Sequence, residues 1–339
     1  DAEICLLTGL RKDFFAEEKN DTTHEVSQPE PGVPAYRIVN TCKSNRFRIE
    51  KEIFADPRQD VLLQRIRFVP LQGSLKDFRA YAILSPRLGD RGSGNSAWAA
   101  RYKGRPVLFA RRDANALAFC ASCGWSRRSV GFVGVSDAWQ DLHRNKRMTA
   151  QYAHADNGHV ALAGEIDLAA CGGDFVLAAA FQVDPNAAAL AAILSLGDNL
   201  DAMRSAYAAP WREWQKTLMS LDGKVQGGDR SGNVDRYRSS TMVLRVHRTQ
   251  RFGSAVASLA VPWGNHRGDD ETGGYHLVWT RDMVESASGL LAAGAHEEIT
   301  RTLQNLCAIQ EADGHWPQDM WVNGCPHARG VQLDEVALH

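Results

Sequence analysis

The sequence predicts an N-terminal antiparallel β-sandwich followed by helices, and three observations lead to this prediction. As far as residue 185, short runs rich in Val, Ile, Phe and Tyr are broken by Gly, Pro, Asn and Asp, which is typical of strands joined by short loops. From residue 186 the chain is rich in Ala and Leu, which favours helix. A polar, glycine-rich stretch at 223–232 then marks a boundary. We therefore predict a sandwich at 1–185, a helical linker at 186–232 and a second domain at 233–339.

The predicted strands are placed by alternation and by turn residues. Residues 46–53 alternate charged with apolar side chains, which suits a strand with one wet face. The N-terminal residues Asp1 to Leu7 also have a strand composition. Further strands are predicted at 61–68, 75–84, 106–110, 117–121, 160–166 and 175–181.

Two loops of the sandwich, 92–98 and 135–141, combine polar residues with Trp98 and Trp139. Each indole could hold a sugar. The alternative is that the polar residues shape a turn while the Trp packs against a sheet or a neighbouring domain, and we favour it.

Helices are predicted at 187–196 and 200–221, with Pro210 opening a new helix that carries Trp211 and Trp214. The i, i+3 spacing places both indoles on one face, where they would clamp a neighbouring domain. Later helices are predicted at 236–248, 283–293 and 295–312, with Gly294 ending the second of them.

Composition narrows the function classes. The chain has 339 residues, 44% of them hydrophobic and 23% charged, and a net charge of −1, so neither nucleic acid nor a membrane is an expected partner. Seven cysteines, an odd number spread over a chain of this length, do not indicate a disulfide scaffold. The pair Cys120 and Cys123 lacks the further ligands of a zinc site, and Cys120 suits a buried thiol. We predict no metal and no cofactor.

Aromatic, charged and amide residues are concentrated near the C-terminal end, in three runs: GGYHLVWTRDMVE at 273–285, EADGHWPQDMW at 311–321 and GVQLDE at 330–335. Each run adjoins a helical pattern, where a loop holds polar groups clear of the core. An indole face covers the apolar face of a pyranose, and fixed donors and acceptors read its hydroxyls. The runs therefore predict a sugar site.

These runs resemble the early catalytic-domain segments of the bacterial glucoamylases and glucodextranases, glycoside hydrolase family 15. Upstream segments resemble the same family, among them DFFAEEKNDTTHEV, PAYRIVN, RIEKEIFADPRQDVLLQRIRF, GSGNSAWAA and SVGFVGVSDAWQDL. The resemblance implies a β-sandwich ahead of an (α/α)6 barrel, of which residues 233–339 would be the first helices. Such a barrel needs about twelve helices, so it would be incomplete in this sequence.

The resemblance also implies roles for single residues. Arg281 and Asp282 match the Arg-Asp pair that bonds hydroxyls of the terminal glucose, with a structural salt bridge as the alternative. Trp279 and Trp321 would be stacking walls, unless they are core residues. Gln332 and Asp334 match the polar pair of the GxQxD segment. The chain departs from the family pattern at His327 and Ala328, where many relatives have Tyr-Trp, and this puts substrate affinity or identity in doubt.

The catalytic carboxyl groups are a separate question. In the family, the general acid lies in a Trp-Glu-Glu segment, which this sequence lacks. Glu335 is a weak candidate, because it aligns with a segment before the acid. We expect the acid and base beyond His339, and hence an inactive chain as given.

The predicted function of the intact protein is exo-acting hydrolysis of α-glucans from their non-reducing ends, with inversion. Its partners would be an α-glucan and the rest of its own catalytic domain. The alternative is a non-catalytic carbohydrate-binding or structural module. The sequence leaves the cellular location open between periplasm or exterior and cytoplasm.

Overall fold

The computed structural model describes residues 2–10, 14–221, 230–259, 274–328 and 330–337. The chain divides into two compact units. The first comprises residues 1–29 and 35–207, and the second comprises residues 30–34 and 208–339.

The first unit is built on two antiparallel sheets. The smaller sheet has the strand order β11-β13-β7-β1-β2, and the larger has the order β12-β8-β9-β10-β14-β6-β5-β4-β3. The strands before the first helix are β1 (Ala2–Leu10), β2 (Phe14–Glu17), β3 (Thr22–Ser27), β4 (Tyr36–Cys42), β5 (Phe47–Ala55), β6 (Val61–Pro70), β7 (Phe78–Pro86), β8 (Asn95–Tyr102), β9 (Arg105–Arg112), β10 (Asn115–Ala121) and β11 (Arg127–Phe132). Those after it are β12 (His154–Gly158), β13 (Val160–Ile166) and β14 (Asp174–Gln182).

The sandwich core lies between the inner faces of these sheets. Phe47 of β5 stacks on Phe68 of β6 with ring centroids 5.4 Å apart, and Phe68 lies 5.1 Å from Phe78 of β7 in the other sheet. All three rings belong to one buried apolar cluster that draws on both sheets. The predicted antiparallel β-sandwich is therefore confirmed. One detail is wrong: Leu75–Asp77 forms a 3-10 turn instead of the start of β7.

Two helices cover outer faces of the sandwich. Helix α1 (Ala138–Asn145) starts at Asp137, whose carboxylate accepts the amide of Gln140, and it packs over the smaller sheet beside Tyr81. Helix α2 (Pro185–Gly197) packs against β10 and β14. Its buried face is rich in alanine, and it faces the larger sheet where Ala118 pairs with Ala180. Small side chains on both surfaces allow this close approach.

Helices dominate the second unit. They are α3 (Leu200–Thr217, which begins in the first unit), α4 (Arg230–Val246), α5 (Thr280–Ala292), α6 (His296–Ile309) and α7 (Leu333–Ala337), with a short hairpin of β15 (Asp319–Met320) and β16 (Pro326–Ala328). The boundary between the units falls after Tyr207, inside α3. Pro210 also lies inside α3, so the expectation that it opens a new helix is wrong. Gly294, with φ of +83°, follows the end of α5 as predicted.

The second unit has its own apolar clusters. Trp214 is buried with Leu290 and Ala295, and Trp211 packs against the same cluster. The Arg245 guanidinium lies 5.1 Å from the Trp211 ring and 4.3 Å from the Trp214 ring. The indole pair thus packs against residues of α4 and α5 within the second unit. The boundary stretch at 223–232 lies mostly outside the described residues, and the domain limits at 185 and 232 stay predictions.

Candidate functional site

The site begins at the N-terminus of α5. Trp279 is the N-cap residue, and its side chain makes no capping hydrogen bond. Glu335, on the short helix α7, supplies the missing acceptor. Its carboxylate accepts the backbone amide of Arg281 at 2.8 Å and the hydroxyl of Thr280. An N-terminal amide that would otherwise lack a partner is therefore satisfied from a distant segment.

Arg281 lies at the centre of a charged cluster. Its guanidinium bonds to the carboxylate of Asp334, lies 3.1 Å from Glu335 Oε1 and 3.5 Å from Asp282 Oδ1. Burial alone would lower the pKa of Arg281, but the bond to Asp334 and the nearby carboxylates raise it above its ordinary value. The same bond holds the pKa of Asp334 below its ordinary value. Both groups are therefore charged at neutral pH.

Exposure separates these groups into two classes. The side chains of Arg281, Asp282 and Asp334 are 28%, 33% and 48% exposed, so each can touch a ligand. Glu335 is fully buried, and it cannot reach a ligand without moving α7. Sequence reasoning missed the bond between Thr280 and Glu335. The signal was available in principle, because a helix that starts after Trp needs an acceptor from elsewhere.

The second motif is joined to the first by backbone hydrogen bonds. Val278 and Met320 exchange two of them, at 2.8 and 3.0 Å, so the residues that follow, Trp279 and Trp321, belong to adjoining segments. Trp279 is half-buried, with its ring 6.1 Å from that of Tyr275. Trp321 is half-buried, and its ring lies edge-on to that of His327, 5.6 Å away.

Asp319 has an architectural place in the hairpin. It is 6% exposed and accepts hydrogen bonds from His327 Nδ1 at 2.9 Å and from the Ala328 amide at 3.0 Å. The departure from the family pattern at His327 thus has a structural role: this side chain ties β16 to β15. Gln332 lies just before α7, half-buried, and its Oε1 is buried without a hydrogen-bond partner among the described residues.

Neither tryptophan of the two predicted loops lies in a loop, because Trp98 belongs to β8 and Trp139 to α1, but both have the packing role that we favoured. The ring of Trp98 stacks on that of Phe109 with 5.2 Å between centroids. The amide of Asn95 holds its own turn by donating to the carbonyls of Arg91 and Gly92. Trp139 packs against the cluster that contains Tyr81, stacks on His143 with 4.8 Å between ring centroids, and donates its Nε1 hydrogen to Glu17 at 2.7 Å.

Cys120 and Cys123 are both free cysteines. Burial raises the pKa of Cys120 to about 12. Cys120 is buried, as the sequence indicated. Within the described ranges, no group of three or more His, Cys, Asp and Glu side chains is arranged to hold a metal ion. Among the same residues, no helix has the length and apolar character needed to cross a membrane.

The chain is similar to known proteins over nearly its whole length. Glucoamylase from Clostridium sp. (strain G0005) is 34% identical over 336 residues, which is 99% of this chain and 46% of that protein. A crystal structure of a bacterial glucoamylase complexed with acarbose matches with a TM-score of 0.91 and 32% identity, over 98% of this chain and 48% of that one. The chain thus spans about half the length of both glucoamylases.

A more distant structure, a putative kojibiose phosphorylase from the human microbiome, matches at a TM-score of 0.51 and 9% identity over 96% of this chain and 42% of that one, which indicates a shared fold only. Residues 3–216 match the family model described as glucodextranase, domain N. That match covers more than half of the sequence and agrees with the two glucoamylase matches, so the chain belongs to the glucodextranase and glucoamylase family.

Proposed function

We propose that the intact protein is an exo-acting α-glucoside hydrolase that releases glucose from the non-reducing ends of α-glucans with inversion. Within it, the Arg281 cluster would recognise the terminal sugar. Two relatives named glucoamylase, each matched over nearly the whole of this chain, support the reaction class. The proposal for the site rests on one observation, the partly exposed guanidinium of Arg281 held between the carboxylates of Asp282 and Asp334.

This arrangement suits vicinal sugar hydroxyls. A guanidinium donates and a carboxylate accepts, so adjoining hydroxyls can each be bonded in a defined direction. Glu335 is a positioning residue in this scheme. Its buried carboxylate fixes the Arg281 backbone and lies near the Arg281 side chain, which limits the orientations available to the guanidinium. A fixed donor does not have to be reorganised when the transition state forms.

The remaining predicted residues would complete the sugar pocket. Trp279 and Trp321 are half-buried indoles on adjoining segments, so each could present a ring edge or face to a pyranose. Gln332 is half-buried, and its side-chain oxygen, which is buried without a partner in the described structure, would have to turn outward to accept a hydroxyl. Asp319 is excluded from the proposed pocket because the hairpin uses its carboxylate.

The acid and base are proposed to lie outside this sequence. Inversion requires two carboxyl groups about 6.5–9.5 Å apart, one to protonate the leaving oxygen and one to activate water. Glu335 is fully buried, and its bonds to Thr280 and Arg281 leave it no approach to a glycosidic oxygen. Residues 233–339 would be the first helices of an (α/α)6 barrel, and the rest of that barrel would carry both groups.

The test is an assay of glucose release by the full-length protein on maltose, isomaltose and dextran. Release of β-glucose, followed by NMR of the anomeric proton, would support the proposal. Release of α-glucose would overturn the inverting mechanism. Absence of release with every substrate, from a folded protein that binds them, would favour the alternative of a non-catalytic carbohydrate-binding module.

A further inference from the structure

A cleft of about 320 Å³ opens at one edge of the sandwich, away from the residues discussed so far. Its walls come from both sheets. Arg101 lies on β8 of the larger sheet, and Arg128 lies on β11 of the smaller one. Tyr152 and Gln151 form a third wall, where the Tyr152 carbonyl accepts the Val130 amide at 3.1 Å.

The two arginines are held in place by backbone carbonyls. Arg128 Nη1 donates to the carbonyl of Val107 at 3.0 Å and to that of Ala100, and so links one sheet to the other. Arg101 Nη1 donates to the Gly104 carbonyl at 2.6 Å. These bonds engage one nitrogen of each guanidinium. Each group has five N–H donors, so further donors are available to a ligand.

The charge of the cleft is unbalanced. Among the described residues that line it, none is acidic, and neither Arg101 nor Arg128 has an ion-pair partner in the described part of the chain. Arg127 also lines the cleft, but it donates to the Met148 carbonyl and lies 3.9 Å from Glu165, which offsets its charge. Burial, and then the charge of Arg101, lower the pKa of Arg128. Two guanidinium charges therefore remain without a counter-charge.

We propose that this cleft binds a phosphate group through Arg101 and Arg128. A phosphate dianion matches the two positive charges, and its oxygens accept paired hydrogen bonds from the planar guanidinium. A neutral ligand that offers only hydroxyl groups would leave the two guanidinium charges uncompensated, so they would continue to repel each other. Inorganic phosphate and a sugar phosphate both carry this group, and the sugar of the latter would lie in a cleft lined by Gln151 and Tyr152.

Calorimetric titration of the full-length protein at about pH 8, where a phosphate group carries close to two negative charges, tests the proposal. The probes are inorganic phosphate and glucose 6-phosphate, each in chloride buffer of matched ionic strength. We expect both to bind, and Arg101→Gln to weaken each by about ten-fold or more. Tighter binding of glucose 6-phosphate would identify a sugar phosphate as the ligand, and equal binding would show that the cleft recognises the phosphate group alone.

Arg111→Gln is the matched control, because Arg111 is an exposed arginine on neighbouring β9 that donates to the Asp113 carbonyl and does not line the cleft. Arg128→Gln should weaken binding at least as much as Arg101→Gln, but it removes a link between the sheets. If that variant does not fold, Arg101→Gln decides the matter alone. Binding unchanged in Arg101→Gln, or no binding of either probe to the wild type, would overturn the proposal. Neither outcome depends on glucose release.

Discussion

The carboxylate of Glu335 accepts a hydrogen bond from the backbone amide of Arg281, 54 residues earlier in the chain, at 2.8 Å. A helix α5 that begins after a tryptophan is thereby capped by a residue of another helix. The same carboxylate lies 3.1 Å from the Arg281 guanidinium. One buried acid therefore stabilises the helix terminus and limits the position of the side chain that we propose reads the sugar.

Replacing Glu335 with Gln should destabilise the protein. The amide retains one acceptor but brings donors toward the Thr280 hydroxyl and the Arg281 amide, at a cost of about 1–3 kcal/mol. Chemical unfolding followed by circular dichroism measures this change. Asp334→Asn is the control, because Asp334 is nearly half exposed, and its unfolding should stay close to that of the wild type. An unaffected Glu335→Gln protein would contradict the proposed capping role.

Asp282→Asn should reduce glucose release by the full-length enzyme. A neutral amide accepts a hydroxyl bond more weakly than a carboxylate, and a bond that tightens in the transition state is expected to lower kcat/KM by about ten- to a hundred-fold. Glu285→Gln provides a comparison, since Glu285 is exposed one turn further along α5 and should keep wild-type kinetics. Equal kinetics for the two folded variants would mean that Asp282 has no part in the site.

Asp319→Asn should instead affect stability. Its buried carboxylate holds His327 and the Ala328 amide, so the substitution should lower the free energy of unfolding by about 1–3 kcal/mol. Activity per folded molecule should fall much less than in Asp282→Asn. An exposed Asp-His pair in the same region, Asp313 with His315, supplies the control variant Asp313→Asn, which should unfold like the wild type. Loss of activity without loss of stability in Asp319→Asn would place Asp319 in the site.

A buried ion pair in the sandwich gives a further prediction. Lys51 donates to Glu18 at 2.5 Å, and both side chains are 6% exposed. Lys51→Met leaves the Glu18 carboxylate buried without its counter-charge and should cost about 3–5 kcal/mol in thermal or chemical unfolding. Combining it with Glu18→Gln should recover part of that loss. Lys43→Met, at an exposed lysine nearby, is expected to change little. Similar unfolding curves for Lys51→Met and Lys43→Met would refute the prediction.

Thiol labelling should distinguish the cysteines. Burial raises the pKa of Cys120 to about 12, so its thiol stays protonated at neutral pH and should resist iodoacetamide, whereas the exposed Cys325 reacts. The folded state holds this proton more tightly than the unfolded state, whose thiol ionises near the ordinary value of 9.0. Cys120 therefore contributes stability that declines as the pH rises from about 9 to 12. Mass spectrometry of the labelled native protein checks this prediction. Early modification of Cys120 would contradict it.

The local pattern of apolar and polar residues was sufficient to predict many strands of the sandwich. Strand β5 alternates charged and apolar residues, and its inward-facing Phe47 and Ile49 are fully buried. The same reasoning failed where tertiary contacts override local preference. Trp98 looked like part of a loop because glycine and serine precede it, yet it lies in β8 and stacks on Phe109. Pro210 looked like a helix start, but α3 runs through it.

The sequence predicted which residues the candidate site contains, but not how they are arranged. The sequence identifies Arg281, Asp282 and Asp334 as polar groups in neighbouring motifs, and their clustering depends on how residues more than fifty positions apart meet in the fold. Asp334 is exposed and Glu335 is buried, although the two acids are adjacent residues of the same short helix. Residue type alone gives no indication of which side faces solvent.

The dependence of α5 on Glu335 has a consequence for synthesis of the protein on the ribosome. Helix α5 is complete in the nascent chain well before residue 335 emerges, so its first turn lacks its acceptor during that interval. A chain released early, between the end of α6 and Glu335, would keep Arg281 and Asp282 but lose the group that fixes their backbone.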